Sequence, residues 1–446
     1  MHTFDLSMEH ITKVEGNAAL RLKVENGKVI EVKFAIEEYK RFFTDALKGK
    51  PVAAVASHLS RICGTCSSAH IMCSIAACED ALGIVPSEQT KILRVLATHG
   101  NIIRDHALHL YLFCMPDIFG VDAFLDLDES DSIQHQILHD GFDIKSAGNY
   151  LATLIAGRSV HANYPVVGGF LHFPEGAGIE EAIEKLKNIR PAVLRLIKIF
   201  MDAPFHFDRK TKYMALVPDK SFGYLNEGKI ITSKGESFEE KDYRSHLEHV
   251  VIPYSQASGY TYQGEGFMVG ALARLNLAKE KLHSETKKSA KEALELFPST
   301  DIFHNNLAQA IEILHSIDES VELLSNNEFK PERPRGEASK KIGIGVVEAP
   351  RGTLYHKIVI GADGIVESGE VIVPTGQNQI NIERDIGILV EDLIKRPEYA
   401  ISHIGSNLAD NSKEIKEKIA MEIEKLIRAY DPCMSCATHF LKVEWL

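Results

Sequence analysis

Apolar and polar positions alternate near the start of the chain. Ala19-Leu20-Arg21-Leu22-Lys23-Val24 and Val29-Ile30-Glu31-Val32-Lys33-Phe34 flank a turn containing Asn26-Gly27. A period of two around such a turn predicts a β-hairpin over 19–34. From Cys66 the period lengthens, with Cys66, His70 and Cys73 at steps of four and three. Helices are expected there and over about 90–113, 132–155, 178–201, 271–296 and 302–324. Residues 204–245 mix aromatic, glycine and charged positions, and read as a surface excursion with a hairpin near Asn226-Glu227-Gly228. The polar stretch 325–341, with Pro331, Pro334 and Gly336, reads as a linker. Period two returns over 342–375, around Gly361-Ala362-Asp363-Gly364. Ile415, Ile419, Ile423 and Ile427 then recur every fourth residue, predicting a C-terminal helix over 411–430 with Asp410 or Ser412 as N-cap.

Composition narrows the picture. The 446 residues are 45% hydrophobic and 25% charged, enough to bury a large core and too apolar for disorder. A formal net charge of −12 speaks against a nucleic-acid groove. No apolar run reaches the ~18 residues of a membrane span, and residues 1–10 carry no secretory pattern, so a cytoplasmic address is expected.

Seven cysteines, an odd and sparse set, fit a reducing compartment better than a disulfide framework. Four form two CxxC pairs, Cys63/Cys66 and Cys433/Cys436, with His70 and His439 shortly after each. A helix starting near Cys66 would aim its positive end at the thiolates. Four such thiolates suit zinc, nickel or an iron–sulfur cluster. Structural zinc is the ordinary reading of paired CxxC motifs, and a thioredoxin-like redox pair is another. Zinc modules, however, close short loops, whereas 367 positions separate Cys66 from Cys433. Closing a loop of that length costs roughly 5 kcal/mol plus a constant, so the whole fold must hold it shut. Cys73, Cys78 and Cys114 read as buried packing residues. Gly343-x-Gly345 lacks the third glycine of a nucleotide fingerprint, and no nucleotide site is expected.

The flanks are more specific than the thiols. Arg61-x-Cys63-Gly64-x-Cys66-x-x-x-His70 with Asp431-Pro432-Cys433-x-x-Cys436-x-x-His439 resembles the large, catalytic subunit of nickel-iron hydrogenases, and the run Val373-Pro374-Thr375-Gly376-Gln377-Asn378, with the cytoplasmic reading, looks like its soluble multisubunit branch. Ile11 to Gly16, Arg104-Asp105-His106, Val269 to Arg274, Glu348-Ala349-Pro350-Arg351-Gly352 and Val373-Pro374-Thr375 follow in that family's order. The resemblance implies an α+β, predominantly helical fold, a central helix bundle with peripheral β-hairpins. It implies one domain over 1–446: the hairpin 19–34, a helical core over 66–203 and 271–324, the β-rich segment 342–375, and the helix 411–430 with its metal-binding loop. Cys63 and Cys433 would be terminal nickel ligands, and Cys66 and Cys436 would bridge nickel to an iron carrying cyanide and carbon monoxide. Pro350, Arg351 and Thr375 would surround those diatomic ligands, with Asp105 and Asp431 holding Arg351. His70 would hydrogen-bond a bridging sulfur.

Chemistry supports such an assignment of roles. Dihydrogen is a very weak acid, so heterolysis needs a Lewis-acidic metal and a nearby base. The Cys433 thiolate would be that base and Glu15 its relay, while Arg351, permanently protonated, would act as an electrostatic positioner. Three cysteines remain outside the pairs, too few for a four-cysteine cluster, so an iron–sulfur small subunit is implied. Flavin-, nicotinamide- or heterodisulfide-linked subunits and a maturation protease are further implied partners. Three departures stand out. Asn17 replaces a frequent His, and Thr44 replaces a frequent Glu that helps bind magnesium or a second iron beside the His at 439. The family's maturation protease usually cuts just after the His corresponding to His439, yet this sequence runs on to Leu446. The competing expectations are a metal-free scaffold, as in the quinone-side subunit of respiratory complex I, and a zinc-binding one.

Overall fold

The computed structural model describes residues 3–225, 228–332, 335–336, 340–399 and 408–438, the last span with side chains from 413 onward. The expected N-terminal hairpin gains a third strand: β1 (Phe4–Met8), β2 (Ala18–Glu25) and β3 (Lys28–Ile36) form an antiparallel sheet in that order. Leu20, Leu22, Val24 and Phe34 fill its buried face.

Helices α1 (Ser67–Leu82), α2 (Glu88–Ala107), α3 (Ser132–Ala156) and α4 (Gly176–Met201) follow. Ser87 caps α2 by accepting the Thr90 amide, and Asp131 caps α3 through the amides of Ile133 and Gln134. Beyond α2 the stretch expected to continue as α-helix widens into a π-helical turn, Leu108–Cys114, which carries His109.

The segment 204–245 has its own buried side and is more than an excursion. Strands β4 (Lys212–Pro218), β5 (Gly228–Thr232) and β6 (Ser237–Glu239) join β7 (Phe267–Met268) in a sheet ordered β7-β4-β5-β6. Met214, Leu216, Ile230, Phe238 and Tyr243 make a second, smaller apolar cluster there. Asn226 and Glu227, at the expected turn, lie outside the described residues.

The helix expected over 271–296 breaks after α5 (Ala271–Ala278) into three short helical pieces. Lys279 explains the fold-back: its Nζ donates to the carbonyls of Leu294 and Phe297, joining the ends of the segment. Helix α6 (His304–Asn326) then packs against α2 and α4, and α3 against both of those, completing the central bundle.

Residues 325–341 are not a free linker. Arg335–Gly336 pairs antiparallel with Ile84–Val85, Lys330 exchanges two hydrogen bonds with the Gln89 side chain, and the Lys340 and Lys341 amides donate to Ala81. Prolines exclude a helix there but leave an extended chain free to pair with an edge.

Strands β8 (Ile342–Ala349), β9 (Gly352–Ile360) and β10 (Val366–Ile372) form an antiparallel sheet laid on α1. The sheet touches the helix backbone to backbone. A Cβ at Gly343 would sit 1.9 Å from the Ala77 carbonyl, and one at Gly345 would sit 2.2 Å from that of Cys73. Those glycines thus serve close packing. Helix α7 (Pro374–Leu393) lies between β3 and α8 (Leu408–Tyr430). Helix α8 already includes Leu408, three residues before the expected start at 411. Asp410 and Ser412 therefore fall inside it.

Candidate metal centre

Two chain reversals bring the cysteine pairs together. Cys66, where the helix was expected to start, is the N-cap of α1, one residue before its first helical residue, so the helix's positive end faces the first pair. The second pair follows α8. Pro432 disfavours helical backbone at Asp431, which instead takes φ +50°, a left-handed conformation that Asp tolerates. That reversal delivers Cys433 to a parallel bridge with Glu15, and the Met434 amide donates to the Glu15 carbonyl at 2.9 Å.

All four sulfurs lie within 4.8 Å of one another. Cys63 to Cys433 measures 3.4 Å, Cys66 to Cys436 2.9 Å, and Cys433 to Cys436 3.0 Å. All four are buried. Contacts from the Cys433, Cys436 and Cys66 thiols hold Cys63 well below the usual thiol range, while burial pushes Cys433 and Cys436 well above it. Four convergent, dry sulfurs are a donor set for a soft or borderline metal, and nickel and iron fit it.

Glu15 reaches the cluster from the N-terminal segment. Its Oε2 lies 3.1 Å from the Cys433 sulfur and Oε1 3.9 Å from that of Cys63, while the Ser435 amide donates to Oε2 at 3.1 Å. Burial and the Cys63 thiolate raise its pKa. Arg351, at the β8–β9 turn, bridges two carboxylates: Nη1 to Asp105 Oδ2 at 2.7 Å and Nη2 to Asp431 Oδ1 at 2.9 Å. Gln309 steadies Asp431 from the other side at 2.8 Å. The Pro350 carbonyl accepts from Arg274, and Thr375, in the first turn of α7, accepts the Cys433 amide at 2.8 Å. That leaves the Thr375 hydroxyl proton for another acceptor. His70 places Nε2 3.6 Å from the Cys436 sulfur. Twelve candidate residues were named from sequence; eleven are brought into this neighbourhood, and His439 lies outside the described residues.

Sequence reading missed the groups that hold the two loops. Arg41 donates through Nη2 to the carbonyls of Ile62 and Ser435, each at 2.7 Å, tying the first CxxC loop to the second. Arg104 pins the first loop through the Thr65 and Ser159 carbonyls. Fully buried Arg274 pairs with Glu312 and Glu348 and donates to the Ala349 and Pro350 carbonyls, fixing the turn that presents Arg351. His356 contacts His70 at 3.1 Å. Arg104 and Arg274 stand inside motifs quoted above, and burial inside a motif was the missing signal. Cys73, Cys78 and Cys114 are buried as expected, and burial pushes the Cys78 thiol up to about 12.

A buried trio elsewhere, His99, His315 and Glu319, has the makings of a cation site. Its tautomer argues otherwise. The His283 amide donates to His315 Nδ1 at 3.2 Å, which leaves the ring proton on Nε2, 3.1 Å from Glu319.

Comparison with known proteins agrees with this geometry. Residues 41–154 and 224–439 match the model of the nickel-dependent hydrogenase family. Sulfhydrogenase 2 subunit alpha of Pyrococcus furiosus is 33% identical over 441 residues, covering 98% of this chain and 100% of the relative. Sulfhydrogenase 1 subunit alpha of the same organism is 30% identical over 443 residues, covering 98% of each. The NAD-reducing hydrogenase HoxS subunit beta of Cupriavidus necator is 27% identical over 500 residues, covering 98% of this chain and 95% of the relative. Among solved structures, an NAD+-reducing [NiFe]-hydrogenase in the H2-reduced state superposes with a TM-score of 0.84 at 22% identity, over 98% of this chain and 100% of that one. At that identity the likeness establishes the α+β fold alone.

Proposed function

This chain belongs to the nickel-dependent hydrogenase family, and from that premise we propose that it is the hydrogen-activating subunit of a multisubunit enzyme, cleaving dihydrogen reversibly into protons and electrons. The observation that carries the reading is the convergence of Cys63, Cys66, Cys433 and Cys436 beneath a buried arginine. Nickel held by all four sulfurs, with an iron on Cys66 and Cys436 carrying cyanide and carbon monoxide, would supply the Lewis acidity that heterolysis needs.

Protein groups account for the proton. The Cys433 sulfur is its first acceptor, and Glu15, 3.1 Å away, receives it next. A carboxyl whose pKa burial raises above the ordinary carboxylate value suits that exchange. Arg351, locked between Asp105 and Asp431, keeps positive charge over the site and positions the reactant. Pro350 and the Thr375 hydroxyl line the place of the diatomic ligands. His70 donates to Cys436.

Two electrons leave with each dihydrogen, and Cys73, Cys78 and Cys114 cannot make a four-cysteine cluster. An iron–sulfur small subunit would carry them to flavin-, nicotinamide- or heterodisulfide-linked partners. The NAD-reducing relative supports a nicotinamide route. The enzyme is placed in the cytoplasm on its sparse, reduced cysteines; among the described residues no helix is long and apolar enough to cross a membrane. The continuous apolar core from Phe4 to Ala437 supports one domain over 1–446. A third metal at His439 is not part of this reading, since Thr44 offers no carboxylate.

Metal analysis, infrared spectroscopy and hydrogen uptake by enzyme matured in its native host test the proposal. Nickel, iron, diatomic stretching bands and uptake are the expected result. Zinc alone without such bands overturns it in favour of a zinc-binding scaffold.

A further inference from the structure

His70, His356 and Ser74 form a buried chain that ends on a metal-ligating sulfur. His70 Nε2 lies 3.6 Å from Cys436 Sγ, and His70 Nδ1 lies 3.1 Å from His356 Nε2. His356 Nδ1 lies 3.0 Å from Ser74 Oγ. Ser74 sits one turn after His70 on α1, and His356 comes from β9, the strand that follows the Arg351 turn. None of the three is more than 1% exposed. The two rings are 5.3 Å apart and tilted by 33°, so they meet through their nitrogens rather than by stacking.

A neutral imidazole has one N–H and one bare nitrogen, so each link dictates the next. A metal-bound Cys436 is a thiolate and can only accept, which requires the His70 proton on Nε2. His70 Nδ1 is then bare and accepts from His356 Nε2–H. His356 Nδ1 is bare in turn and accepts the Ser74 hydroxyl proton. This is the order in which neutral rings satisfy every link while the sulfur carries no proton. Because Ser74 is fully buried, the chain orients groups rather than leading protons to solvent.

We propose that His356, itself held by Ser74, is a positioning residue that keeps the His70 proton on Nε2 and aimed at the Cys436 sulfur. Metal-ligating histidines are commonly fixed by the partner of their other nitrogen. Here the same device acts one step further out, on a histidine that serves a sulfur ligand. The inference rests on the thiolate–metal reading given above.

The test uses the assembled enzyme with His356→Leu, His356→Gln, Ser74→Ala, His70→Leu and the His70→Leu/His356→Leu double variant. Nickel content is measured alongside two readouts. One is the 15N spectrum of ring-labelled histidines, with His70 assigned by its loss in His70→Leu. The other is the infrared stretch of the iron-bound ligands. In wild type, His70 is expected as a single Nε2–H tautomer. His356→Leu is expected to give mixed tautomers and a shift of the stretches to lower wavenumber, since a sulfur without its hydrogen bond gives more charge to the metal. Gln, whose amide can donate to Nδ1, restores both toward wild type, and Ser74→Ala gives the same change at smaller amplitude. The double variant shifts the bands no further than His70→Leu, as expected of residues acting through one contact.

An unchanged His70 tautomer in His356→Leu, or additive band shifts, overturns the proposal. Should His356→Leu fail to assemble, Ser74→Ala decides through the tautomer: mixed supports, fixed overturns. Wild-type enzyme without diatomic bands defeats the iron assignment of the preceding subsection, while the 15N arm still decides this one.

Discussion

Glu15 and Cys433, 418 positions apart, meet twice: their backbones form a parallel bridge, and the Glu15 carboxylate lies 3.1 Å from the Cys433 sulfur. The backbone contact fixes the side-chain contact. A carboxyl with a raised pKa is thereby held against the sulfur that would first take the proton.

Glu15→Gln should keep the Ser435 amide contact, because the Gln carbonyl accepts as the carboxylate does. Nickel content should stay at the wild-type level while hydrogen–deuterium exchange with solvent slows by about 10²–10⁴-fold, the usual worth of a positioned acid–base group. Exchange within a few-fold of wild type would assign the relay to another group.

Cys433→Ser should abolish hydrogen uptake. A hydroxyl replaces both a soft sulfur donor and the first proton acceptor, and uptake assays with nickel analysis read the loss. Uptake retained with nickel bound would move the base to a different ligand.

Arg351→Leu leaves Asp105 and Asp431 buried without their shared cation, each at most 3% exposed in its side chain. A broken buried pair typically costs about 3–5 kcal/mol, so thermal unfolding should begin well below wild type. Arg351→Lys retains charge but cannot span both carboxylates. It should recover much of the thermal stability while hydrogen uptake falls about 10²-fold.

Gly345→Ala would drive a methyl group to 2.2 Å from the Cys73 carbonyl on α1. Backbone cannot yield as a side chain can, so β8 must lift from the helix, at a cost of about 3 kcal/mol. A lower melting temperature with weaker nickel retention is expected, since α1 carries Cys66 at its start. An unchanged melting temperature would mean the sheet is freer than its packing implies.

Glu383 accepts the Phe34 amide and the Tyr254 hydroxyl, and burial nevertheless holds its pKa above the usual carboxylate value. Folding therefore favours the protonated form relative to the unfolded chain. Stability linked to this group is fully present below the unfolded pKa of about 4.5 and lost as pH rises through the folded value. Glu383→Gln removes that loss, so its melting temperature should gain on wild type between pH 4.5 and 7.5, whatever constant offset the substitution brings. A difference that does not change with pH would contradict the shift.

Much of the site was legible because thiols, carboxylates and an arginine in short fixed motifs carry their chemistry locally. Cys63-Gly64-Thr65-Cys66 and Asp431-Pro432-Cys433 show their turn residues and donor atoms side by side. Arg41, Arg104, His356 and Ser74 were not legible, because their roles consist of contacts with groups distant in sequence. Arg41 reaches the Ser435 carbonyl 394 positions away, and His356 reaches His70 across 286. Local periodicity also erred where a tertiary contact overrode it. Lys279 folds the segment after α5 back on itself, and Ile84–Val85 captures residues that read as a linker.

By itself, the sequence determined the elements and the ligand atoms: hydrophobic period sets helix or strand, and sulfur, carboxylate and guanidinium chemistry belongs to the residue. Tertiary structure alone decided which of those atoms share a volume and at what distance. Bringing chain ends together has an entropic cost that no local pattern offsets. Only the packed bundle, the β8–β10 sheet laid on α1, and the arginines clamping both loops hold four sulfurs against one another.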